Sequence, residues 1–173
     1  LYSILNEYKA DGVFSKIGVS VYSAEQIDFV LDHFEIDLIQ LPMNVFDQRL
    51  IHSGALKRLQ KYGVEIHVRS AFLQGLVFMD DKKLPNHLQC YSSHLTEFHR
   101  IVKKLGCSPA SASLAFLMQQ PEIDKVICGV NSLIQFQELI DTVSALPNIE
   151  KDVFDAIGFD DVSFLNPSNW NAL

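Results

Sequence analysis

The chain has 173 residues, 48% of them hydrophobic and 20% charged, with a formal net charge of −7. That is enough for one domain with a sizeable core, and the balance is that of a soluble globular protein rather than a disordered one. The acidic excess argues against nucleic acid or an anionic membrane as partner, since both would repel it, and leaves a small ligand as the expectation.

Cys90, Cys107 and Cys128 are an odd number at wide spacing, with no disulfide framework and no CxxC pair, so a reducing cytoplasm is expected. No apolar run approaches the roughly 18–20 residues that span a bilayer, and the first residues lack the pattern of a signal peptide. Leu1 to Ala10 already has helical spacing with no capping residue before it, so the chain is expected to begin inside an element, as a fragment would.

After Gly12, FSKIGVSVYS alternates Ile17, Val19 and Val21 with Lys16, Gly18 and Ser20, the pattern of a strand. Ser23 and Gln26 then have capping-box spacing ahead of a helical stripe of Ile27, Val30, Leu31 and Phe34. IDLIQL reads as a second strand stopped by Pro42, and RLIHSGALKRLQKYG as one helix ending at Gly63. VEIHVRS is the third strand, and FLQGLVFMDDKKLPNHLQ a long loop of the kind that is often functional.

Two helices are expected next, YSSHLTEFHRIVKKL stopped by Gly106, then one opened by Ser108 with Pro109 in its first position. KVICGV is the fourth strand, and Ser132 with Gln135 caps a helix whose Phe136, Leu139, Ile140 and Val143 share a face. KDVFDAIGF reads as a short helical piece before a loop-like end.

Four strands alternating with helices argue for parallel βα units, in either an open doubly wound sheet or a (β/α)8 barrel. With Ile17, Val19, Val21, Ile39, Leu41, Ile66, Val68, Val126, Cys128 and Val130 toward the helices, the other face carries Ser20, Gln40, His67, Arg69 and Gly129. Polar groups therefore gather at the C-terminal strand ends, where both folds bind ligands.

There, GVNS leads into a helix N-terminus, whose free N–H groups and positive dipole end suit an anion; an ordinary capped βα turn is the other reading. FLQG could lie along a ligand with Gln74 as donor, and Gln40 and Ser20 can recognise a carboxamide or satisfy a core hydrogen bond. His94 and His99, five apart, miss the spacing of paired metal ligands and read as solvated, so no metal is expected. Cys128 reads as a core residue, and DDKK as an exposed loop. GxGxxG, GxxxxGK[ST] and GxSxG are all absent.

KIGVSVYSAEQID, IDLIQLPMNVFDQRL, GVEIHVRSAFLQGLV, GCSPASASLAFLMQQPEIDKVICGVNS and QFQELID, in this order, resemble the C-terminal half of the aldo-keto reductases. The resemblance implies an α/β fold: the C-terminal half, four βα units as strands five to eight, of a (β/α)8 TIM barrel that binds NADP(H) or NAD(H). Residues 1–173 would form a partial domain whose N-terminal catalytic half lies outside this chain. Ser20 and Gln40 match the contacts to the nicotinamide carboxamide, although Val21 stands where asparagine is common. Ser70, Phe72 and Gln74 match the loop along the pyrophosphate. Gly129, Val130, Asn131, Gln135 and Glu138 match the adenosine phosphate and ribose segment, with Leu139 where asparagine is frequent. Arg69 takes the place of a tyrosine that stacks on the nicotinamide; its guanidinium could stack likewise, or pair with a substrate carboxylate, a pyrophosphate oxygen or a loop carboxylate.

No basic residue lies between Gly129 and Glu138, so NADH is expected to serve at least as well as NADPH, whose 2′-phosphate suits lysine or arginine. The family's aspartate, tyrosine, lysine and histidine tetrad has no match here, so no catalytic residue is assigned. A (β/α)8 domain takes about 250 residues. The expected partners are a nicotinamide nucleotide, a small carbonyl substrate such as an oxidised sugar derivative, and either the missing half or a second copy, covering two strand edges and an apolar interior. A non-catalytic binding or regulatory module is the alternative.

Overall fold

A computed structural model of the chain, describing residues 1–150 and 152–172, contains one sheet of four parallel strands. These are β1 (Gly18–Ser20), β2 (Leu38–Pro42), β3 (Glu65–Arg69) and β4 (Lys125–Val126), adjacent in chain order. Val19 pairs with Ile39, Ile39 with Ile66, and Val68 with Val126. A doubly wound sheet reverses its strand order at a switch point; here it never reverses. The sheet is half of a (β/α)8 barrel.

The helices follow from their caps. α1 spans Tyr2–Ala10, and α2 (Ala24–His33) starts where Ser23 Oγ accepts from Gln26 N while Gln26 Oε1 accepts from Tyr22 N. The same exchange opens α7 (Leu133–Ser144) through Ser132, Gln135 and Asn131. α5 (Ser92–Leu105) stops at Gly106, with φ 66°, and α6 (Pro109–Met118) begins with proline behind the Ser108 cap.

One face of the sheet makes the core. Ile39, Leu41, Ile66 and Val68 are fully buried, with Ile27, Leu59, Phe98 and Ala115 from the helices packed over them. Burying such a side chain is worth about 1.5–3 kcal/mol. Gly18 leaves no room for a side chain beside β2: an added Cβ would sit 2.2 Å from the Leu38 carbonyl oxygen.

Several expectations are corrected. Pro42 belongs to β2 rather than ending it. Gln40 O accepts from Val21 N and Met43 N donates to Arg69 O, so Pro42 has its missing N–H on the β1 side, where β1 has already ended. The single helix after β2 is two, α3 (Arg49–His52) and α4 (Ala55–Lys61), because Gly54 takes φ 71° between them. β4 is shorter than KVICGV because the neighbouring β3 ends at Arg69, and only Ile127 N, bonded to Val68 O, extends the ladder. The long stretch after β3 coils into 3-10 turns at Leu73–Phe78, Asp81–Lys83 and Asn86–Tyr91.

The short helical piece contains a 3-10 turn at Asp155–Ile157, while the end after it differs from its loop-like reading. That turn and another at Pro167–Ala172 flank α8 (Val162–Leu165). Phe154 and Phe164 are buried at 1% exposure, with ring centroids 6.1 Å from Phe98 and 6.0 Å from Phe46. His94 and His99 are half-buried, not solvated: His94 packs on Phe159 at 4.2 Å and His99 Nε2 lies 3.0 Å from Val77 O.

The expected apolar interior is instead largely polar. On the face away from the helices lie Ser20, Gln40, Glu65, His67, Arg69 and Lys125, where Glu65 gathers Lys16, His67 and Lys125. These partners, the His67 hydrogen bond foremost, hold the Glu65 carboxyl well below the usual carboxylate range. A run of exposed apolar residues lies on α7, where Leu133, Ile134, Phe136, Ile140 and Val143 stay solvent-accessible and no residue of the helix is buried.

Candidate functional site

A cavity of about 960 Å³ opens at the C-terminal ends of the strands. Its walls come mainly from the end of β2 (Gln40), from Arg69 at the end of β3 with Ser70, Ala71, Phe72, Gln74, Gly75 and Phe78 after it, from residues 127–131 after β4, and from Gln135, Glu138, Leu139 and Thr142 of α7. Three segments distant in sequence thus meet. Gln40, Arg69, Ser70, Phe72, Gln74, Gly129, Val130, Asn131, Gln135 and Glu138 all line it. Ser20 does not; it is exposed on the edge strand β1, where it pairs with Gln40 in the ladder.

The segment after β3 is strained. Ser70, Leu73 and Gln74 have φ of 63°, 43° and 56°, each costing on the order of 1–3 kcal/mol. Neighbouring structure holds it in place. Leu73 N donates to Ser70 O, and Asn44 Nδ2 reaches the same oxygen at 3.3 Å. Asn44 is itself 1% exposed, and its Oδ1 accepts from Phe46 N and Asp47 N. Sequence reasoning missed Asn44, whose signal was an asparagine placed to close an Asx turn just after a strand.

Beside the opposite wall, the first turn of α7 has unpaired donors on Leu133 and Ile134, which do not themselves line the cavity. Ser132 Oγ and Ser132 O accept from Gln135 N and Phe136 N, which leaves the Leu133 and Ile134 N–H groups without acceptors among the described residues. An anion is favoured there by these donors and the dipole. Gln135 has its Oε1 occupied by Asn131 N, so only its amide nitrogen is free to donate. Glu138 is exposed and makes no ion pair among the described residues.

At the inner end, the Gln40 amide makes no hydrogen bond to a described residue. The Arg69 guanidinium lies over the Tyr22 ring, 4.3 Å from its centroid, with a single long contact of 3.5 Å to Ser70 Oγ. No carboxylate of the described residues pairs with it. Burial pushes the Cys128 thiol up, away from nucleophilic use. The described residues hold no cluster of three or more His, Cys, Asp or Glu fit for a metal.

Comparison with known proteins places the chain in a family. The model of the Aldo/keto reductase family matches residues 1–158. The chain belongs to this family. A curated relative, the NADH-specific methylglyoxal reductase of Escherichia coli (strain K12), is 21% identical over 150 residues, covering 79% of this chain and 46% of that protein. Among solved structures, the aldo-keto reductase AKR11C1 from Bacillus halodurans superposes with a TM-score of 0.72 in its apo and holo forms, at 18% and 19% identity. The match covers 90% of this chain and 55% and 54% of those chains. The thermostable aldo-keto reductase Tm1743, in complex with the inhibitor epalrestat, gives a TM-score of 0.67 at 19% identity, covering 91% of this chain and 53% of that one. This aldo/keto reductase chain spans about half the length of the relatives it matches.

Proposed function

We propose that the chain is the nicotinamide-nucleotide-binding half of a reductase that transfers hydride to an aldehyde or ketone. The observation that carries this is the convergence of three separate segments on one cavity with an anion-favouring helix end and an open carboxamide partner. Gln40, with Ser20 beside it in the ladder, would hold the carboxamide. Ser70, Phe72 and Gln74 would follow the pyrophosphate, and Gly129, Val130, Asn131, Gln135 and Glu138 the adenosine end. At Gly129 an added Cβ would meet nothing within 4 Å, so the backbone there is open to a ligand. The bound nucleotide supplies the hydride; the chain's own residues bind and orient it.

NADH should serve at least as well as NADPH. Arg69 is the sole base among the residues lining the cavity, and it lies far along the chain from Glu138, whose carboxylate suits ribose hydroxyls and repels a 2′-phosphate. The Escherichia coli relative is described as NADH-specific.

The titratable groups among those lining residues, Arg69, Cys128 and Glu138, include no tyrosine or histidine to protonate a carbonyl. The general acid would come from four complementary βα units in a longer polypeptide, since a second copy of this chain could cover the open edges but would bring the same residues. The open edges of β1 and β4 and the exposed α7 stripe support this. The same lack favours a second reading, a module that binds nucleotide without turnover. Free thiols at all three cysteines suit a reducing cytoplasm, and no helix of the described residues is long and apolar enough to cross a membrane.

The test is thermal unfolding with NADH, NADPH or adenosine. At a hundredfold excess over Kd, NADH should stabilise the fold by about 2.7 kcal/mol, raising Tm by about 5–10 °C. A flat response to both nucleotides refutes the binding site, and a preference for NADPH of about a hundredfold refutes the cofactor choice. Carbonyl reduction by the intact protein separates the enzyme from the module.

A further inference from the structure

We propose that Arg69, laid on Tyr22, is a carboxylate subsite, so that the carbonyl substrate carries a carboxylate group. This rests on the nucleotide reading above for where the reactive end lies.

The chain has four arginines. Arg49 forks onto Asp47, Arg58 onto Asp28 and Arg100 onto Glu97, each through two nitrogens. Arg69 alone has no carboxylate partner among the described residues, and it is the one that lines the cavity. A half-buried guanidinium with its edge donors open matches a carboxylate bidentately.

The group is also pre-positioned. The Tyr22 backbone is held by its N–H to Gln26 Oε1 and by Val21 N to Gln40 O, and the Arg69 backbone by its carbonyl oxygen accepting from Met43 N. Stacking uses the guanidinium face and leaves its edge for a ligand. Its direction leads away from the adenosine end of the cavity. From β3 the side chain crosses the end of β2 to the tyrosine after β1, away from Gly129 to Ser132 after β4. A carboxylate held there lies next to Gln40, where the carboxamide would sit, and so beside the ring that gives up hydride.

The test titrates propionate, with neutral propionamide as control, into the isotope-labelled chain with and without NADH, following the arginine side-chain N–H signals. Saturable shifts with propionate only, weakened at least tenfold in Arg69→Met while NADH affinity stays within twofold, are expected. Equal responses to the two ligands, or propionate binding unchanged in Arg69→Met, would overturn the subsite. A tenfold loss of NADH affinity in that variant would place the guanidinium on the pyrophosphate instead. The propionamide comparison in the unaltered chain decides the matter if Arg69→Met fails to fold. Propionate binding without any NADH binding would sink the nucleotide reading and leave the anion site standing.

Discussion

Asn44→Ala should be among the most destabilising single truncations near the cavity. Asn44 is 1% exposed, and its Oδ1 is the acceptor for Phe46 N at 3.0 Å and Asp47 N at 3.1 Å. Both N–H groups lie in a stretch, residues 43–48, that is buried throughout, so water cannot replace the lost oxygen without opening it. An unsatisfied buried donor costs about 1–3 kcal/mol, and two of them, with the 3.3 Å bond to Ser70 O also removed, give a loss of about 3 kcal/mol or more. Against a typical total of about 5–15 kcal/mol, this is readily measured. Urea unfolding followed by circular dichroism is the assay, with the midpoint falling and the slope unchanged. A loss below about 1 kcal/mol would refute the reasoning. Ser70 O keeps Leu73 N as donor, so the strained segment should relax rather than unfold, and NADH binding should weaken where the variant is still native.

Gly18→Ala should lower thermal stability by about 1–3 kcal/mol, since the new methyl would press on the Leu38 carbonyl and force β1 and β2 apart; an unchanged melting temperature would contradict this. Glu65 gives a pH signature. Its carboxyl is depressed by His67, Lys125 and Lys16, so its contribution is present above the unfolded value of about 4.3 and fades as pH falls below it. Glu65→Gln should therefore be less stable than the parent at neutral pH and show a shallower decline below about pH 5; parallel acid profiles would rule the network out as a source.

Local signals were legible in the sequence where one side chain decides the geometry. Ser23, Ser108 and Ser132 each accept from the N–H three residues on, as their spacing implied. Alternation likewise placed Ile39, Leu41, Ile66 and Val68 in the core. Other features depend on partners distant in the chain. Phe136, Ile140 and Val143 do share a helical stripe, but what would cover them is not among the described residues, so a pattern that normally means burial leaves them exposed. Phe154, in the short helical piece, and Phe164, in the end read as loop-like, are buried against Phe98 and Phe46, a tertiary choice that no local pattern encodes. At the cavity, strand-end polarity pointed to Gln40, Arg69 and Gly129, whereas the Arg69 and Tyr22 stack joins residues 47 positions apart in the sequence.

The aromatic packing also orders events during synthesis. Gln48 Nε2 donates to Phe154 O across 106 residues, and Phe159 N donates to Phe46 O. The stretch after β2 has Arg69, Ser70 and Phe98 to pack against early, but its cover is completed only when residues 154–164 have been made. Successive βα units can gather behind the ribosome, while one side of Phe46 stays open until a segment more than 100 residues later is translated.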